Sequence, residues 1–269
     1  MRTIVHLSDI HFGRVDRRLL EPLVETINRI EPSVVAVSGD LTQRARSFQF
    51  MAARKFLDQL PKPQIVVPGN HDVPLYNVFA RFVNPLRKYK KYITDDLRPF
   101  HSDEEIAVLG VNTARSLTIK GGRINKEQIS WIRELLCVTD TKPVKLLVTH
   151  HPFDLPEGHD ERDLVGRARL AMQQLAECGV DVLLAGHLHT SHTLHSAKRY
   201  NIKGHSALVI QAGTATSTRG RGEANSFNVV RIERPNITVE RFEWQTARGQ
   251  FTLAMTERFA HSADGWERL

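Results

Sequence analysis

Short apolar runs alternate with amphipathic helical patterns along the first two thirds of the chain. Continuous, mostly β-branched runs predict buried strands at residues 4–7, 34–37, 65–67, 106–111, 144–148 and 182–184. Apolar residues at helical spacing predict helices over 19–30, 47–60, 75–92, 125–136 and 164–177, the fourth opened by a capping box of Asn125 and Gln128. This alternation predicts parallel β-structure covered by helices.

From residue 208 onward the pattern changes to strands alone. They are predicted at 208–210, 227–232 and 237–242, with Arg234-Pro235-Asn236 as a turn, while the last 25 or so residues show no clear pattern. The simplest architecture is α/β, with two packed mixed sheets and helices outside. We expect one domain over residues 1–269, whose strand-rich C-terminal part covers about 205–245.

Composition narrows the class of protein. With 41% apolar and 25% charged residues the chain matches an ordinary globular protein, which excludes collagen-like and low-complexity classes. No apolar run is long enough to span a bilayer or to form a signal-peptide core, so we expect an unexported protein. Cys137 and Cys178 have no metal-type spacing, and we expect two buried thiols in a reducing cytoplasm.

The net charge of the chain says little by itself about its binding partners. Thirty-seven basic and 30 acidic residues give a net charge of +7, which favours acidic partners without naming one. The cluster Arg87-Lys88-Tyr89-Lys90-Lys91-Tyr92 mixes cations with aromatics, as nucleic-acid binders do, but it falls in a predicted amphipathic helix. We interpret it as helix surface, so a nucleic-acid partner is not expected.

Polar residues of one kind follow the predicted strands. They are Asp9-Ile10-His11, Gly39-Asp40, Gly69-Asn70-His71-Asp72, His150 and Gly186-His187-Leu188-His189. Ligands of open α/β sheets bind beyond the carboxyl ends of the strands, so these groups are expected to meet in one crevice. Carboxylate, amide and imidazole donors together suit zinc, manganese or iron. The sequence therefore predicts a metal site.

Spacing refines this prediction. Asp9 and His11 are two residues apart, as are His187 and His189, so in extended segments each pair would point to one side. By the same alternation His151, which directly follows His150, is expected to point away from the site.

The ordered motifs Asp-x-His, Gly-Asp, Gly-Asn-His-Asp, His and Gly-His-x-His, spread from Asp9 to His189, resemble the calcineurin-like metallophosphoesterase superfamily. The chain is most similar to its bacterial class III cyclic-nucleotide phosphodiesterase branch. The resemblance implies a four-layer αββα sandwich and two metal ions. It implies that one metal is held by Asp9, His11 and His189, the other by Asn70, His150 and His187, and that Asp40 bridges them. By analogy, His71 donates a proton or hydrogen bond to the leaving oxygen, and Asp72 either orients His71 or holds a turn.

Two metals also make chemical sense, because a phosphodiester is anionic and repels hydroxide. Two ions about 3.5–4 Å apart lower the pKa of a shared water and clamp the substrate for in-line attack. We therefore predict a metal-dependent phosphodiesterase, with two Mn, Fe or Zn ions, that hydrolyses a small phosphodiester by metal-activated hydroxide attack. Cyclic AMP and cyclic GMP are the leading substrates. The expected location is the cytoplasm, and the resemblance allows a homodimer.

Substrate contacts are expected from loops around the crevice. In the small polar loop 213–226, Arg219 or Arg221 is expected to bind phosphate in a bidentate manner. Asn112 ends the fourth predicted strand and would also face the site.

Other functions stay open at this stage. Within the same chemistry, the substrate would be a lipid-linked or glycerol phosphodiester or a nucleotide-sugar-lipid pyrophosphate, which an exposed apolar patch would favour. A nuclease would need a continuous basic groove. In a different class, a metal-binding scaffold would keep the fold without catalysis.

Overall fold

The computed structural model describes residues 1–118, 120–137, 143–219, 222–262 and 265–269. Its strands are β1 (Arg2–Leu7), β2 (Val34–Ser38), β3 (Gln64–Val67), β4 (Phe100–Ser102), β5 (Ile106–Gly110), β6 (Val144–Val148), β7 (Val182–Ala185), β8 (His192–His195), β9 (Leu208–Gln211), β10 (Ser226–Glu233), β11 (Asn236–Gln245), β12 (Gln250–Ser262) and β13 (Gly265–Arg268). Its helices are α1 (Leu20–Ile30), α2 (Ser47–Leu57), α3 (Val78–Val83), α4 (Arg87–Tyr92), α5 (Lys126–Leu136), α6 (Ala168–Glu177) and α7 (Ala197–Tyr200).

The strands form two mixed sheets. A seven-stranded sheet has the order β13-β12-β11-β10-β1-β2-β3, and a six-stranded sheet has the order β4-β5-β6-β7-β9-β8. In the first, β1, β2 and β3 are parallel and β10 runs antiparallel to β1. In the second, β5, β6, β7 and β9 are parallel, with antiparallel β4 and β8 at the edges. The predicted α/β class with two mixed sheets is confirmed.

Alternation along each strand divides the buried residues among three apolar layers. Ile4 and Ala36 face the second sheet and meet residues such as Leu146 between the two sheets. Val5 and Val35 point the other way, into the layer covered by α1, α2 and α4. On the far side, α5 and α6 cover the outer face of the second sheet. The four layers are therefore helix, sheet, sheet and helix, as the resemblance implied.

Local sequence signals explain where the helices begin and end. The Asn125 side chain accepts a hydrogen bond from the Gln128 amide at 2.7 Å, and Gln128 Oε1 accepts one from the Asn125 amide at 2.9 Å, so the predicted capping box opens α5. The single helix predicted over 75–92 is wrong, because Pro85 interrupts it and leaves α3 and α4. None of the helices in the described part of the chain is long and apolar enough to cross a membrane.

The C-terminal strands extend further than predicted. β12 and β13 carry strand structure to Arg268, beyond the expected limit near 245. Much of β12 is exposed and polar, so its sequence lacks the apolar run that marks a buried strand. The short edge strands β4 and β8 escaped prediction for a similar reason.

The two cysteines form a disulfide, so the expectation of two buried thiols is wrong. They are 41 residues apart in sequence, but they follow directly on the last residues of α5 and α6, which pack side by side. Sequence spacing gives no sign of this proximity. Disulfides are rare in a reducing cytoplasm, so cysteine usage no longer supports a cytoplasmic location.

His6, in the middle of β1, links stability to pH. Its side chain is fully buried, and burial lowers its pKa to about 3. The folded protein therefore binds fewer protons here than the unfolded chain, whose histidine titrates near 6.5. The contribution of neutral His6 to the free energy of unfolding is fully present above pH 6.5. It is lost as the pH falls toward 3, by about 1.4 kcal/mol per pH unit. Other buried histidines add to the pH dependence of unfolding in chelator-treated protein, so His6→Gln should lower the slope measured by denaturant unfolding by about this amount. Equal slopes for the two proteins would contradict the prediction.

Candidate metal centre

The predicted ligands converge where the two sheets present the carboxyl ends of their parallel strands. Asp9, Asp40 and Asn70 follow β1, β2 and β3, and His150 and His187 follow β6 and β7. Backbone hydrogen bonds join the loops: the Asp9 amide donates to Gly39 O at 3.2 Å and the His11 amide to Asp40 O at 2.9 Å. The strand ends thus bring together side chains that are almost 180 residues apart in sequence.

Five of these side chains sit on left-handed backbone. The φ angles are 52° at Asp9, 54° at His11, 53° at Asp40, 78° at His187 and 62° at His189. The extended segments assumed for the Asp9/His11 and His187/His189 pairs are therefore wrong, although both pairs do reach the site. Residues other than glycine rarely adopt this conformation, which costs of order 1–3 kcal/mol each and is concentrated at functional sites.

One cluster contains Asp9, His11, Asp40 and His189, whose candidate ligand atoms all lie within 4.8 Å of one another. Asp9 Oδ1 is 3.2 Å from His189 Nε2 and 3.4 Å from His11 Nε2. The two imidazole nitrogens face each other at 3.4 Å. Carboxylate oxygens and imidazole nitrogens at these separations match the donor set expected for one transition-metal ion.

A second cluster lies beside the first and shares Asp40. His150 Nε2 is 3.1 Å from Asn70 Oδ1 and 3.5 Å from Asp40 Oδ1, while the His150 and His187 rings are 5.2 Å apart. The other oxygen of Asp40, Oδ2, is 3.6 Å from His11 Nε2 in the first cluster. One carboxylate therefore presents one oxygen to each cluster.

Outer hydrogen bonds orient two of the imidazoles. His150 Nδ1 is 2.7 Å from Ser38 O, and His189 Nδ1 is 3.2 Å from Arg219 O. A carbonyl oxygen only accepts, so each Nδ1 carries a proton, and in the neutral ring each Nε2 then presents a lone pair toward its cluster. These neutral tautomers are the ones that bind metals.

Two glycines allow the loops to approach this closely. A Cβ at Gly69 would lie 2.1 Å from Asp40 Oδ1, and one at Gly186 would lie 1.9 Å from Ser8 Oγ. Ser8 Oγ in turn donates to Asp9 Oδ2 at 2.7 Å. A side chain at either position would displace a predicted ligand, which explains the glycines before Asn70 and His187 in the motifs.

The buried carboxyl groups of the two clusters favour the binding of cations. Burial raises the pKa of Asp40 well above its ordinary value, and the charges of Asp9 and Asp72 add to this effect. Burial acts in the same direction on Asp9, but His189 and His11 hold the pKa of Asp9 well below its usual range. Among the described residues, Asp9 Oδ1 is a buried oxygen without a hydrogen-bond partner. Metal ions between these groups would satisfy that oxygen and favour ionisation of both carboxyls.

His71 and Arg219 stand beside the clusters without belonging to them. His71 Nδ1 donates to Gln43 O at 3.0 Å, and Arg219 Nη1 donates to His71 Nε2 at 3.0 Å. Burial, assisted by His11, lowers the pKa of His71 to about 3, so the ring is neutral near pH 7 in this state. Asp72 accepts hydrogen bonds from the Leu41, Thr42 and Gly69 amides. Of its two expected roles, the structure therefore assigns Asp72 to holding the turn.

A cavity of about 530 Å³ opens over the centre. Its lining residues are Asp40, Asn70, His71, Thr118, Lys120, Gly121, Asp160, Arg162, Asp163, His187, Leu188, His189 and Arg219. Of the three predicted substrate contacts, Arg219 lines this cavity and Arg221 lies outside the described residues. Asn112 lines a separate cavity, because its Oδ1 accepts from the Ala114 amide at 2.9 Å in a local turn.

His151 belongs to the site's surroundings, contrary to expectation. Its ring lies 4.7 Å from that of His187, and its Nδ1 and Nε2 are each 2.8 Å from a hydrogen-bond partner, Thr113 Oγ1 and Lys120 O. Both ring nitrogens are engaged, so His151 supports the second cluster. The chain bends at His150 and His151, directly after β6, so the alternation of a strand does not apply there.

Sequence reasoning also missed Asp163 and Lys120. Asp163 Oδ1 is 3.8 Å from His187 Nε2, and Lys120 lines the cavity. Both lie in loops outside the motifs, where single-sequence patterns give no signal of their position.

Comparison with known proteins agrees with this geometry. The sequence model of the calcineurin-like phosphoesterase family matches residues 2–191. The chain is 26% identical over 171 residues to the glycerophosphodiester phosphodiesterase GpdQ of Enterobacter lignolyticus, which covers 60% of each protein. It is 24% identical over 161 residues to a probable cyclic nucleotide phosphodiesterase of Synechococcus, which covers 56% of this chain and 58% of that protein. The matched part is thus less than two thirds of either relative's length.

Among solved structures, a dimetal phosphatase from Danio rerio superposes with a TM-score of 0.64. The alignment covers 94% of this chain and 98% of the phosphatase at 15% sequence identity, so it supports the fold alone.

Proposed function

The chain belongs to the calcineurin-like phosphoesterase family, and on that premise we propose that it is a binuclear-metal-dependent phosphodiesterase acting on a small phosphodiester. The observation that carries this proposal is the position of Asp40. Its two carboxylate oxygens face two separate donor clusters beneath one cavity. Such an arrangement suits a pair of ions rather than a single one.

Seven side chains would hold the metals. Asp9, His11 and His189 would bind one ion, Asn70, His150 and His187 the other, and Asp40 both. When bound, the two ions would lower the pKa of a water and offset negative charge on the phosphoryl oxygens.

The protein's own contribution beyond the metals rests on Arg219 and His71. Arg219 lines the cavity and presents a guanidinium that pairs with phosphoryl oxygens. A phosphate bound there would draw Arg219 away from His71 Nε2 and place negative charge beside the ring. Negative charge favours the protonated imidazole, so His71 would then donate from Nε2 to the leaving oxygen. Nδ1 stays on Gln43 O and keeps the ring in position.

The size of the cavity supports a small substrate. About 530 Å³ is within the range of pockets that enclose small ligands. The two relatives described above are named for glycerophosphodiesters and cyclic nucleotides, and we propose diesters of these two kinds as the substrates to compare first.

Hydrolysis under one metal condition tests the proposal. Manganese-loaded protein should cleave bis(4-nitrophenyl) phosphate, and the rates with cyclic AMP, cyclic GMP, a glycerophosphodiester, a lipid-linked pyrophosphate and single-stranded DNA identify the substrate class. No turnover of any of them above background would support a non-catalytic scaffold. Preference for DNA with a steep fall at higher salt would support a nuclease.

Arg219→Ala should weaken substrate binding. Loss of a charge-assisted hydrogen bond is expected to raise KM by about tenfold to a hundredfold while two metal ions stay bound. Arg162→Ala is the matched control, because Arg162 lines the same cavity but is already paired with Asp160. Steady-state kinetics of both variants test this prediction. Equal changes in the two variants would contradict it.

Three further expectations from the sequence stay predictions. They are a single domain over residues 1–269, a homodimer and a cytoplasmic location. Sedimentation of the purified protein tests the second.

A further inference from the structure

Helix α3 exposes apolar side chains to water. Val78 and Phe82, and likewise Phe79 and Val83, are four residues apart, so all four lie on one side of the helix. Their exposed fractions are 63%, 56%, 78% and 66%, and that of the preceding Tyr76 is 74%. We call these five residues the apolar face. Soluble proteins seldom leave such a group uncovered unless it contacts a partner or a membrane.

The opposite side of α3 is anchored next to the metal cavity. Arg81 is buried, and its guanidinium donates to Ser116 O at 2.6 Å, to Pro74 O at 3.0 Å and to Thr118 O. Thr118 lines the cavity. Leu117, which lies between Ser116 and Thr118 in the chain, is 72% exposed. The apolar face is therefore fixed beside the mouth of the catalytic cavity.

Positively charged residues follow the apolar face along the chain, and one cation, that of Arg44, lies against it. Residues 73–94 include five lysines and arginines but no aspartate or glutamate. Arg87, Lys90 and Lys91 of α4 are exposed, and the Arg44 guanidinium lies 5.3 Å from the centre of the Tyr76 ring. Aromatic and aliphatic side chains bordered by cations are typical of surfaces that sit in the interface of anionic bilayers.

We propose that the apolar face, with the exposed cations of α4, docks on an anionic lipid bilayer. The phenylalanines and valines would enter the boundary between headgroups and acyl chains, and Arg87, Lys90 and Lys91 would pair with lipid phosphates. A second copy of the chain would bring like charges together, and a nucleic acid would leave Val78 and Val83 without apolar contacts. Docking itself goes beyond the proposed function. Its consequence, that diesters at the lipid surface are delivered to the cavity, rests on the proposed function.

Vesicle sedimentation tests the docking. The full chain should bind vesicles of phosphatidylcholine mixed with phosphatidylglycerol. It should bind vesicles of phosphatidylcholine alone far more weakly. Replacing Phe79 and Phe82 with Ser should weaken binding by about tenfold per side chain. Leu253→Ser is the matched control, because Leu253 is 51% exposed but lies on β12 of the seven-stranded sheet. It should bind as the unaltered chain does.

A charge series tests the second part of the surface. Replacing Arg87, Lys90 and Lys91 with Gln should weaken binding to the anionic vesicles about fivefold per charge and reduce its dependence on salt. None of the altered residues lines the catalytic cavity, so every variant should hydrolyse bis(4-nitrophenyl) phosphate at the unaltered rate.

Three results would overturn the proposal. They are absence of binding to anionic vesicles, equal binding by the Phe79/Phe82 variant and the Leu253 control, and a dimer that the Phe79/Phe82 variant loses without any vesicle binding. Single-stranded DNA serves as the competitor in the same assay. If it displaces the protein from vesicles, and its binding is lost in the Gln variants but kept in the Phe79/Phe82 variant, the surface belongs to nucleic acid and the proposal is likewise overturned. Hydrolysis of the soluble diester is scored separately, so failure of the proposed function and failure of docking are distinguishable.

Discussion

Asp40→Ala is expected to abolish phosphodiester hydrolysis, with kcat falling by at least roughly a thousandfold. That loss corresponds to several kcal/mol of transition-state stabilisation, the scale on which bound metal ions act. The reason is that Asp40 presents one carboxylate oxygen to each of the two donor clusters. Its removal should reduce the bound metal from two ions per chain as well as the rate. Metal analysis alongside steady-state kinetics measures both effects.

Asp40→Asn provides the control for folding. The amide oxygen can still accept from the His71 backbone N–H, which lies 2.8 Å from Asp40 Oδ1. The substitution also removes a buried carboxyl group. The pKa of that group is raised by burial and by the charges of Asp9 and Asp72. The metal-free variant should therefore be at least as stable as the unaltered protein while losing activity. An Asn variant that is inactive only because it fails to fold would contradict this account.

His71→Ala is expected to slow turnover without emptying the metal sites. Loss of a positioned proton donor costs about a hundredfold to ten-thousandfold, and the cost grows with the pKa of the leaving group. Hydrolysis of an alkyl diester should fall most, and that of a 4-nitrophenyl diester least. Kinetics on both substrates, with the metal content of each preparation, measure the difference.

Two outcomes would refute that role for His71. One is loss of a metal ion from the His71→Ala variant, which would make His71 a ligand. The other is an equal loss of rate on both diesters, which would mean that His71 does not act on the leaving oxygen.

The motifs were predictable from sequence because parallel strands present their carboxyl ends at the same edge of a sheet. Asp9, Asp40 and His150 each follow a run of buried strand residues, which makes their convergence visible in the pattern alone. The route by which they converge was not visible. Left-handed backbone at Asp9 and His11 replaces the extended geometry that simple alternation assumes, because the loops fold back to donate backbone hydrogen bonds to one another.

Features that depend on contacts between distant segments escaped prediction. His151 was expected to face away, yet it packs on His187 and bonds Lys120 O. Asn112 was expected at the site, yet its side chain completes a turn elsewhere. The Cys137–Cys178 disulfide arises because two helices end side by side. Each outcome reflects tertiary packing, which a single sequence does not specify locally.

Exposure likewise could not be judged before the fold was known. From the sequence, the residues of α3 form part of a single amphipathic helix predicted over 75–92. Pro85 ends that helix, and the buried Arg81 turns the apolar side outward. Under the docking proposal, the exposed patch would bring the cavity to substrates carried at a lipid surface, one of the alternatives that the sequence left open.

The most direct test of the central claim is the number and position of bound metal ions. Protein incubated with excess manganese and freed of unbound ions should contain two per chain by elemental analysis. Anomalous diffraction should place one beside Asp9 and His189 and the other beside His150 and His187, with Asp40 between them. Absence of bound ions, or ions bound away from these residues, would contradict the proposed binuclear centre and the phosphodiesterase activity that depends on it.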